Sequence, residues 1–289
     1  MKPGTFTHHA PRTLEEALAI LAEVSNDEGR VIAGGQTLVP AMALRLARPN
    51  HLVDINGIEA LRRFETDGAF LHIGACVRHA QLASAPVAGP LRELLRAVMR
   101  HIAHLPIRTR GTFCGSLANA DGASEWCLVA TTLDAHMQAQ SIHGMRTIPA
   151  ADFFQGYMTT ALAPEEILTG ARLPVLGPDT RFGFDEISRR AGDFAQAMCL
   201  AVFELQGGLM RQVRIGIGGV AGQALRAPQA EAACDGQPPA AALFKQVAAV
   251  AARNVEPTIG SSEAELDYRR ALVRTSVERA LARAARFTP

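Results

Sequence analysis

The segment that most restricts how this chain can fold is Val31-Ile32-Ala33-Gly34-Gly35-Gln36-Thr37-Leu38, an apolar strand running into two glycines and then into the start of a helix. Glycines without Cβ let backbone N–H groups converge on an anion, and the helix N-terminus adds partial positive charge. A phosphate or pyrophosphate fits such a turn. Taken alone, the segment reads equally well as a tight turn whose glycines only satisfy a positive φ.

A second small-residue loop shifts that balance. Arg108-Thr-Arg-Gly-Thr112-Phe-Cys114-Gly115-Ser116-Leu-Ala-Asn-Ala-Asp121 follows a helix stop and is succeeded by Glu125 and Trp126. It is rich in small and hydroxyl side chains, and Asp121 and Glu125 can accept hydrogen bonds from sugar hydroxyls. Two separate loops suit a dinucleotide better than one.

The pattern between and beyond these loops is mixed α and β. Thr13-Leu-Glu-Glu16 is a capping box, and Leu14, Ala17, Leu18, Leu21 and Val24 follow at helical spacing, which gives a helix over about 13–25. Strands are expected at 30–33 and 51–55, a helix at 38–46, a strand at 70–77 and a helix at 89–104 closed by Pro106. Strand-like runs are expected from there to Leu173. The turn-rich Pro174-Val-Leu-Gly-Pro-Asp179 marks a domain boundary, which gives domains 1–175, with subdomains 1–57 and 58–175, and 176–289. The second domain reads as a strand over 181–189, a helix or strand over 195–205, a Gly207-Gly208 turn, a strand over 210–218 and two helices. The last of these opens at Ser262-Glu-Ala-Glu265 and closes with Arg279, Arg283 and Arg286.

Several function classes are disfavoured. With 29 basic and 28 acidic side chains the net charge is +1, too little for a field that recruits nucleic acid or an anionic membrane. No apolar run approaches the roughly 20 residues of a bilayer span, and no secretion signal is visible at the start. The five scattered cysteines (Cys76, Cys114, Cys127, Cys199, Cys234) read as reduced thiols of a cytoplasmic protein and cannot supply the four closely spaced thiolates of an iron–sulfur cluster. Arg214-Ile-Gly216-Ile-Gly218-Gly-Val-Ala221 matches GxGxxA, but Asp235 follows a helical stretch rather than ending a second strand, so a structural strand–turn is the better reading. His101 and His104 lack a third metal ligand and read as capping or loop-packing residues. Paired Arg189-Arg190 and Arg269-Arg270 read as solvated or ion-paired. No serine or cysteine sits in a nucleophile motif, and no metal site or catalytic acid–base pair stands out.

Taken together, Ala33–Leu38, Pro106–Thr112, Gly115–Asp121, Pro164-Glu-Glu-Ile-Leu168, Arg189-Arg-Ala-Gly-Asp-Phe194-Ala195 and Tyr268-Arg-Arg270 occur in the order found in the flavin-binding medium subunits of the molybdenum hydroxylases, the carbon monoxide dehydrogenase and xanthine dehydrogenase family, which this chain resembles over nearly its whole length. The resemblance implies an α+β architecture: a two-subdomain FAD-binding domain of the vanillyl-alcohol-oxidase (PCMH) type followed by a small α+β domain. It implies that residues 31–38 wrap the FAD pyrophosphate through backbone amides and that Thr112, Cys114, Gly115 and Ser116 form the opposing loop. Glu125 falls at an acid that helps hold FAD, Leu168 at an apolar cofactor contact, and Phe194 beside the isoalloxazine. Two positions depart from the pattern. Cys114 replaces the first glycine of a Gly-Gly pair, placing either an altered backbone or a thiol near the flavin, and Asp185 stands where animal relatives often carry lysine.

The implied activity is oxidoreductase electron transfer through FAD. Electrons would come from [2Fe-2S] clusters on a small partner subunit that serves a large subunit carrying the molybdopterin cofactor, in a paired heterotrimer, and leave to an external acceptor. A free-standing flavin oxidase or dehydrogenase and a cofactor-free interaction or maturation protein are the alternatives.

Overall fold

The structure is a computed structural model that describes residues 2–253, 255–256 and 262–286. The chain opens with β1 (Thr7–His9), α1 (Leu14–Val24), β2 (Gly29–Ile32), α2 (Leu38–Ala43) and β3 (His51–Asp54). The three strands form a parallel sheet in the order β1-β3-β2. The Thr13 hydroxyl accepts from the Glu16 amide at 3.2 Å while Glu16 returns to the Thr13 amide, so both ends of the expected capping box are made. Expected to reach 46, α2 stops at Ala43. Arg45 adopts φ 60°, and the amides of Leu46 and Arg45 turn back to the carbonyls of Ala41 and Met42, a left-handed C-terminal closure formed here without glycine.

The next unit contains β4 (Phe64–Thr66), β5 (Phe70–Gly74), α3 (Pro90–Met99), α4 (Leu105–Arg108), α5 (Phe113–Asn119), α6 (Glu125–Thr132), β6 (His136–Ser141), β7 (Gly144–Pro149), α7 (Ala150–Phe153), β8 (Phe154–Gly156), β9 (Thr159–Thr160) and β10 (Ile167–Pro174). Its main sheet is antiparallel, in the order β4-β5-β10-β6-β7. Two expectations fail here. Pro106 does not close α3; it lies in the first turn of α4, where its missing N–H costs nothing. Two helices, α5 and α6, precede the strands expected after Pro106. In α6, Trp126 to Ala130 are all buried, so no polar face exists to set a 3.6-residue period.

The last unit is β11 (Thr180–Ile187), β12 (Ala197–Gln206), β13 (Leu209–Gly218), β14 (Leu225–Arg226), α8 (Pro228–Cys234), α9 (Ala241–Ala252) and α10 (Glu263–Arg286), so three helices stand where two were expected. The sheet is antiparallel in the order β11-β12-β13-β14. The segment that sequence left between helix and strand is β12. Its alternate residues serve two cores: Met198, Leu200 and Val202 join the core that also holds Phe182 and Phe184, while Ala197, Cys199, Ala201 and Phe203 face the core beneath α9 and α10. A strand buried on both faces carries no polar alternation to read.

Gly216 and Gly218 lie inside β13, not in a strand-to-helix turn, so the GxGxxA run is structural as expected. Asp185, one of the two departures, is buried in β11 and its Oδ1 meets Arg283 of α10 at 2.7 Å, while Arg283 also donates to the Phe184 carbonyl. All five cysteines are free and buried. Among the described residues no helix is long and apolar enough to cross a membrane.

Helix α10 approaches β11 so closely that a Cβ on Gly183 would stand 2.0 Å from the Ala280 carbonyl oxygen. Gly183→Ala is expected to push the helix off the sheet and cost about 3 kcal/mol, read as a lower denaturant midpoint with an unchanged slope.

Candidate functional site

Strand β2 delivers the chain into the turn 33–37. Gly35 takes φ +67°, which an L side chain resists, and Gly34 lies against the second loop: a Cβ there would stand 2.5 Å from the Arg110 carbonyl oxygen and 2.7 Å from the Gly111 Cα. The two turns expected to cooperate are therefore in backbone contact. The N–H groups of Gly34, Gly35, Gln36 and Thr37 donate to no backbone carbonyl among the described residues. The Gln36 side chain folds back to the Gly34 carbonyl at 2.8 Å. Val31 and Ile32 belong to β2, and Leu38 begins α2.

Two residues that sequence reasoning missed tie these turns together. Asn56 donates to the Ala33 carbonyl at 2.7 Å, and its own side-chain oxygen accepts from Arg78 Nη2 at 2.5 Å. Arg78 Nη1 donates to the Arg110 carbonyl. One guanidinium thus reaches the second turn directly and the first through Asn56. Arg62 adds a bond to the Asn56 carbonyl at 2.6 Å. Burial, with the neighbouring positive charges of Arg62 and Arg110, depresses the Arg78 pKa, the mark of a cluster of cations behind the turns. His79 completes the support. Its amide bonds the Gly111 carbonyl at 3.0 Å, and its Nδ1 accepts from the Trp126 indole at 2.9 Å. That bond fixes the neutral tautomer with the proton on Nε2, and burial pushes the ring down to about 4.

The second loop differs from its expected form. Contact with the first turn is made by Arg110 and Gly111, before the expected start at Thr112. Thr112 caps α5: its hydroxyl accepts from the Gly115 amide at 3.0 Å and its carbonyl from the Ser116 amide at 3.1 Å, while the Phe113 amide goes to the Val77 carbonyl. Those three amides are occupied within the fold. The Cys114 thiol is buried toward the Ile73 carbonyl at 3.5 Å, and burial pushes its pKa far up, so Cys114 can reach a ligand only through its backbone.

The remaining candidates are spread out. Asp121 accepts from the Ala123 amide at 2.9 Å in a turn that leads into α6, whose first residue is Glu125. Leu168 is buried in β10 beside a bulge opposite β6. Phe194 is 72% exposed on the loop between β11 and β12. With Arg189, Asp193 and Gln196 it lines a shallow pocket of about 540 Å³. That loop passes close to His104, whose ring stands 2.7 Å from where a Gly192 Cβ would be, and α4 continues from His104 to the second turn.

The profile described as the FAD-binding domain in molybdopterin dehydrogenase matches residues 4–176, and that of the CO dehydrogenase flavoprotein C-terminal domain matches residues 182–284. The chain belongs to the family of FAD-binding subunits of molybdopterin dehydrogenases. It is 34% identical to the nicotine 6-hydroxylase medium subunit of Paenarthrobacter nicotinovorans, covering 100% of both chains. Its fold matches a chain of carbon monoxide dehydrogenase from Hydrogenophaga pseudoflava with a TM-score of 0.92 at 34% identity, covering 98% of each. It matches a chain of quinoline 2-oxidoreductase from Pseudomonas putida 86 with a TM-score of 0.90 at 33% identity, covering 100% of this chain and 99% of that one.

The residues present fit FAD. A diphosphate needs convergent N–H donors, room for close backbone approach and nearby positive charge. The turn 33–37 has four amides without a backbone acceptor among the described residues and glycines at 34 and 35, and Arg62, Arg78 and Arg110 are the nearby positive charges. Arg78→Gln removes a charge-assisted bond to each turn's anchor, about 1.5–3 kcal/mol. The amides of Arg110 and Gly111, bonded to the Ile107 carbonyl, and of His79, bonded to the Gly111 carbonyl, are expected to exchange hydrogen at least about tenfold faster while those of β12 do not change.

Proposed function

We propose that this chain is the FAD-holding, electron-transferring subunit of a molybdenum hydroxylase, working beside a small subunit with [2Fe-2S] clusters and a large subunit with the molybdopterin cofactor, in a paired heterotrimer in the cytoplasm. The observation that carries this reading is the backbone contact between Gly34 and the Arg110–Gly111 turn, with the amides of the first turn facing no internal carbonyl among the described residues. Full-length likeness to medium subunits supports it. Residues 1–175 serve as the FAD-binding domain and 176–289 as the C-terminal domain. Relatives named for nicotine and quinoline favour a nitrogen heteroaromatic as the substrate oxidised by the assembly.

In this reading Val31 to Leu38 hold the diphosphate, chiefly through the amides of Gly34, Gly35, Gln36 and Thr37. Thr112, Cys114, Gly115 and Ser116 shape the opposite wall, with the Thr112 cap keeping α5 rigid against it. Asp121 and Glu125 accept from sugar hydroxyls, Leu168 backs the site from β10, and Phe194 covers it from the β11–β12 loop. FAD, when bound, supplies the exchange between one-electron and two-electron transfer. The chain itself binds, orients and excludes water, which accounts for the lack of a nucleophile or an acid–base pair of hydrolytic type.

Titrating FAD into the purified chain is expected to give saturable one-to-one binding. Gly35→Asp sets a carboxylate and a strained φ where the diphosphate approaches, and a loss of at least about 100-fold in affinity is expected, about 2.7 kcal/mol. Absence of binding by the unaltered chain would refute the reading and favour a cofactor-free interaction protein.

A further inference from the structure

Beyond the turns suited to a diphosphate, a second set of cations surrounds a cavity. Helix α10 presents Arg279, Arg283 and Arg286 to a surface pocket of about 550 Å³, whose apolar wall is Ala97 of α3 with Phe182 and Phe184 of β11. Strand β11 is the outer strand of its sheet, so the pocket sits at a sheet edge between two helices. A helix C-terminus favours arginine by itself, but that pull acts within about the last turn. Arg279 lies about two turns, roughly 10 Å, before Arg286.

The three arginines are not held alike. Arg283 uses both fork nitrogens within the fold, Nη2 on Asp185 Oδ1 at 2.7 Å and Nη1 on the Phe184 carbonyl. It braces the pocket. Arg286 is fixed through Nε, which donates to the Ala282 carbonyl at 3.2 Å, and its two Nη groups have no acceptor among the described residues. Arg279 likewise forms no ion pair among them. The acids nearby offer little compensation. Asp185 answers Arg283, and Glu93 and Glu278 on the same helices do not line the cavity. Burial raises Glu186, whose Oε2 lies 3.7 Å behind His101 Nδ1, to about 8, and burial together with Arg283 keeps the His101 ring neutral. Three guanidinium groups less one carboxylate leave the pocket a net charge near +2.

We propose that this pocket binds a small organic dianion of the phosphate monoester class, its phosphoryl group held by Arg279 and Arg286 and its organic part laid against Ala97, Phe182 and Phe184. Two guanidinium groups with open forks on one helix face supply the paired N–H donors that phosphoryl oxygens accept. Arg283, tied to the strand, keeps the wall between them in place. The ester follows from the volume, which lies within the about 300–1,000 Å³ of small-molecule sites and is well beyond what bare phosphate fills. A monoanion would leave one of the two charges unanswered. This site does not rest on the FAD reading, because neither the 33–37 turn nor the 110–111 turn lines it.

The test is isothermal titration of the full chain with phenyl phosphate at about pH 7.5, where a phosphate monoester is a dianion. It is run once with the chain saturated with FAD, so that the diphosphate turns are filled, and once with Gly35→Asp, which blocks them. Saturable one-to-one binding of equal affinity is expected in both, tighter than for inorganic phosphate or glutarate, and weakened by added salt. Arg279 and Arg286 are exposed, so Arg279→Gln and Arg286→Gln are expected to melt as the unaltered chain does. Each is expected to weaken phenyl phosphate by at least about tenfold. Absence of saturable binding, or undiminished binding in either arginine variant, overturns the site. Equal affinity for inorganic phosphate, or tighter binding of glutarate, overturns the ligand class. If the unaltered chain takes up no FAD, the function proposed above fails, while the Gly35→Asp titration still judges the pocket.

Discussion

The close approach of one backbone to another, at Gly34 against Arg110 and Gly111, is the constraint on which the site depends. A single methyl group at position 34 would hold the two turns apart, and no side-chain rearrangement could relieve a clash with main-chain atoms. The turns come from different units: one ends a parallel β2, the other follows the short α4 beside the five-stranded sheet. Their meeting therefore fixes the relation between those units. The Asn56–Arg78 link makes that relation specific. It joins residues 22 to 32 positions apart and closes on two carbonyls, Ala33 and Arg110, that a turn would otherwise leave exposed.

This also explains what the sequence could and could not disclose. The strand into Gly34-Gly35, the Thr13 capping box and the β12–β13 turn at Gly207-Gly208 are local: each is written in fewer than ten consecutive residues, and each forms as expected. Asn56, Arg78 and His79 carry no motif, because the partners that tie the turns together lie 22 to 47 residues away and their value appears only once the turns are in place. Helix α6 and strand β12 were obscured for a shared reason. Each is buried on more than one face, so the polar positions that would reveal a period of 3.6 or 2 are missing. The fault at Pro106 is different: proline at a helix boundary marks either end, and only packing decided that it opens α4.

The departures from family pattern find local compensation. Asp185 is buried where a lone carboxylate would be costly, and α10 answers it with Arg283, which at the same time covers the Phe184 carbonyl on the edge strand. Cys114 turns its thiol into the core, toward the Ile73 carbonyl of β5. In both places the bulk or charge is taken up by contacts within the fold.

Charge is arranged unevenly along the site, and the arrangement suits a ligand with a diphosphate at one end only. Arg62, Arg78 and Arg110 gather behind the paired turns, where anionic oxygens would sit. Asp121, in the turn into α6, and Glu125, at its first position, would add fixed negative charge if both were ionised. Burial limits that charge by raising Glu125 to about 7. Cations beside the paired turns favour an anion there, and burial limits the opposing charge that Glu125 carries at neutral pH.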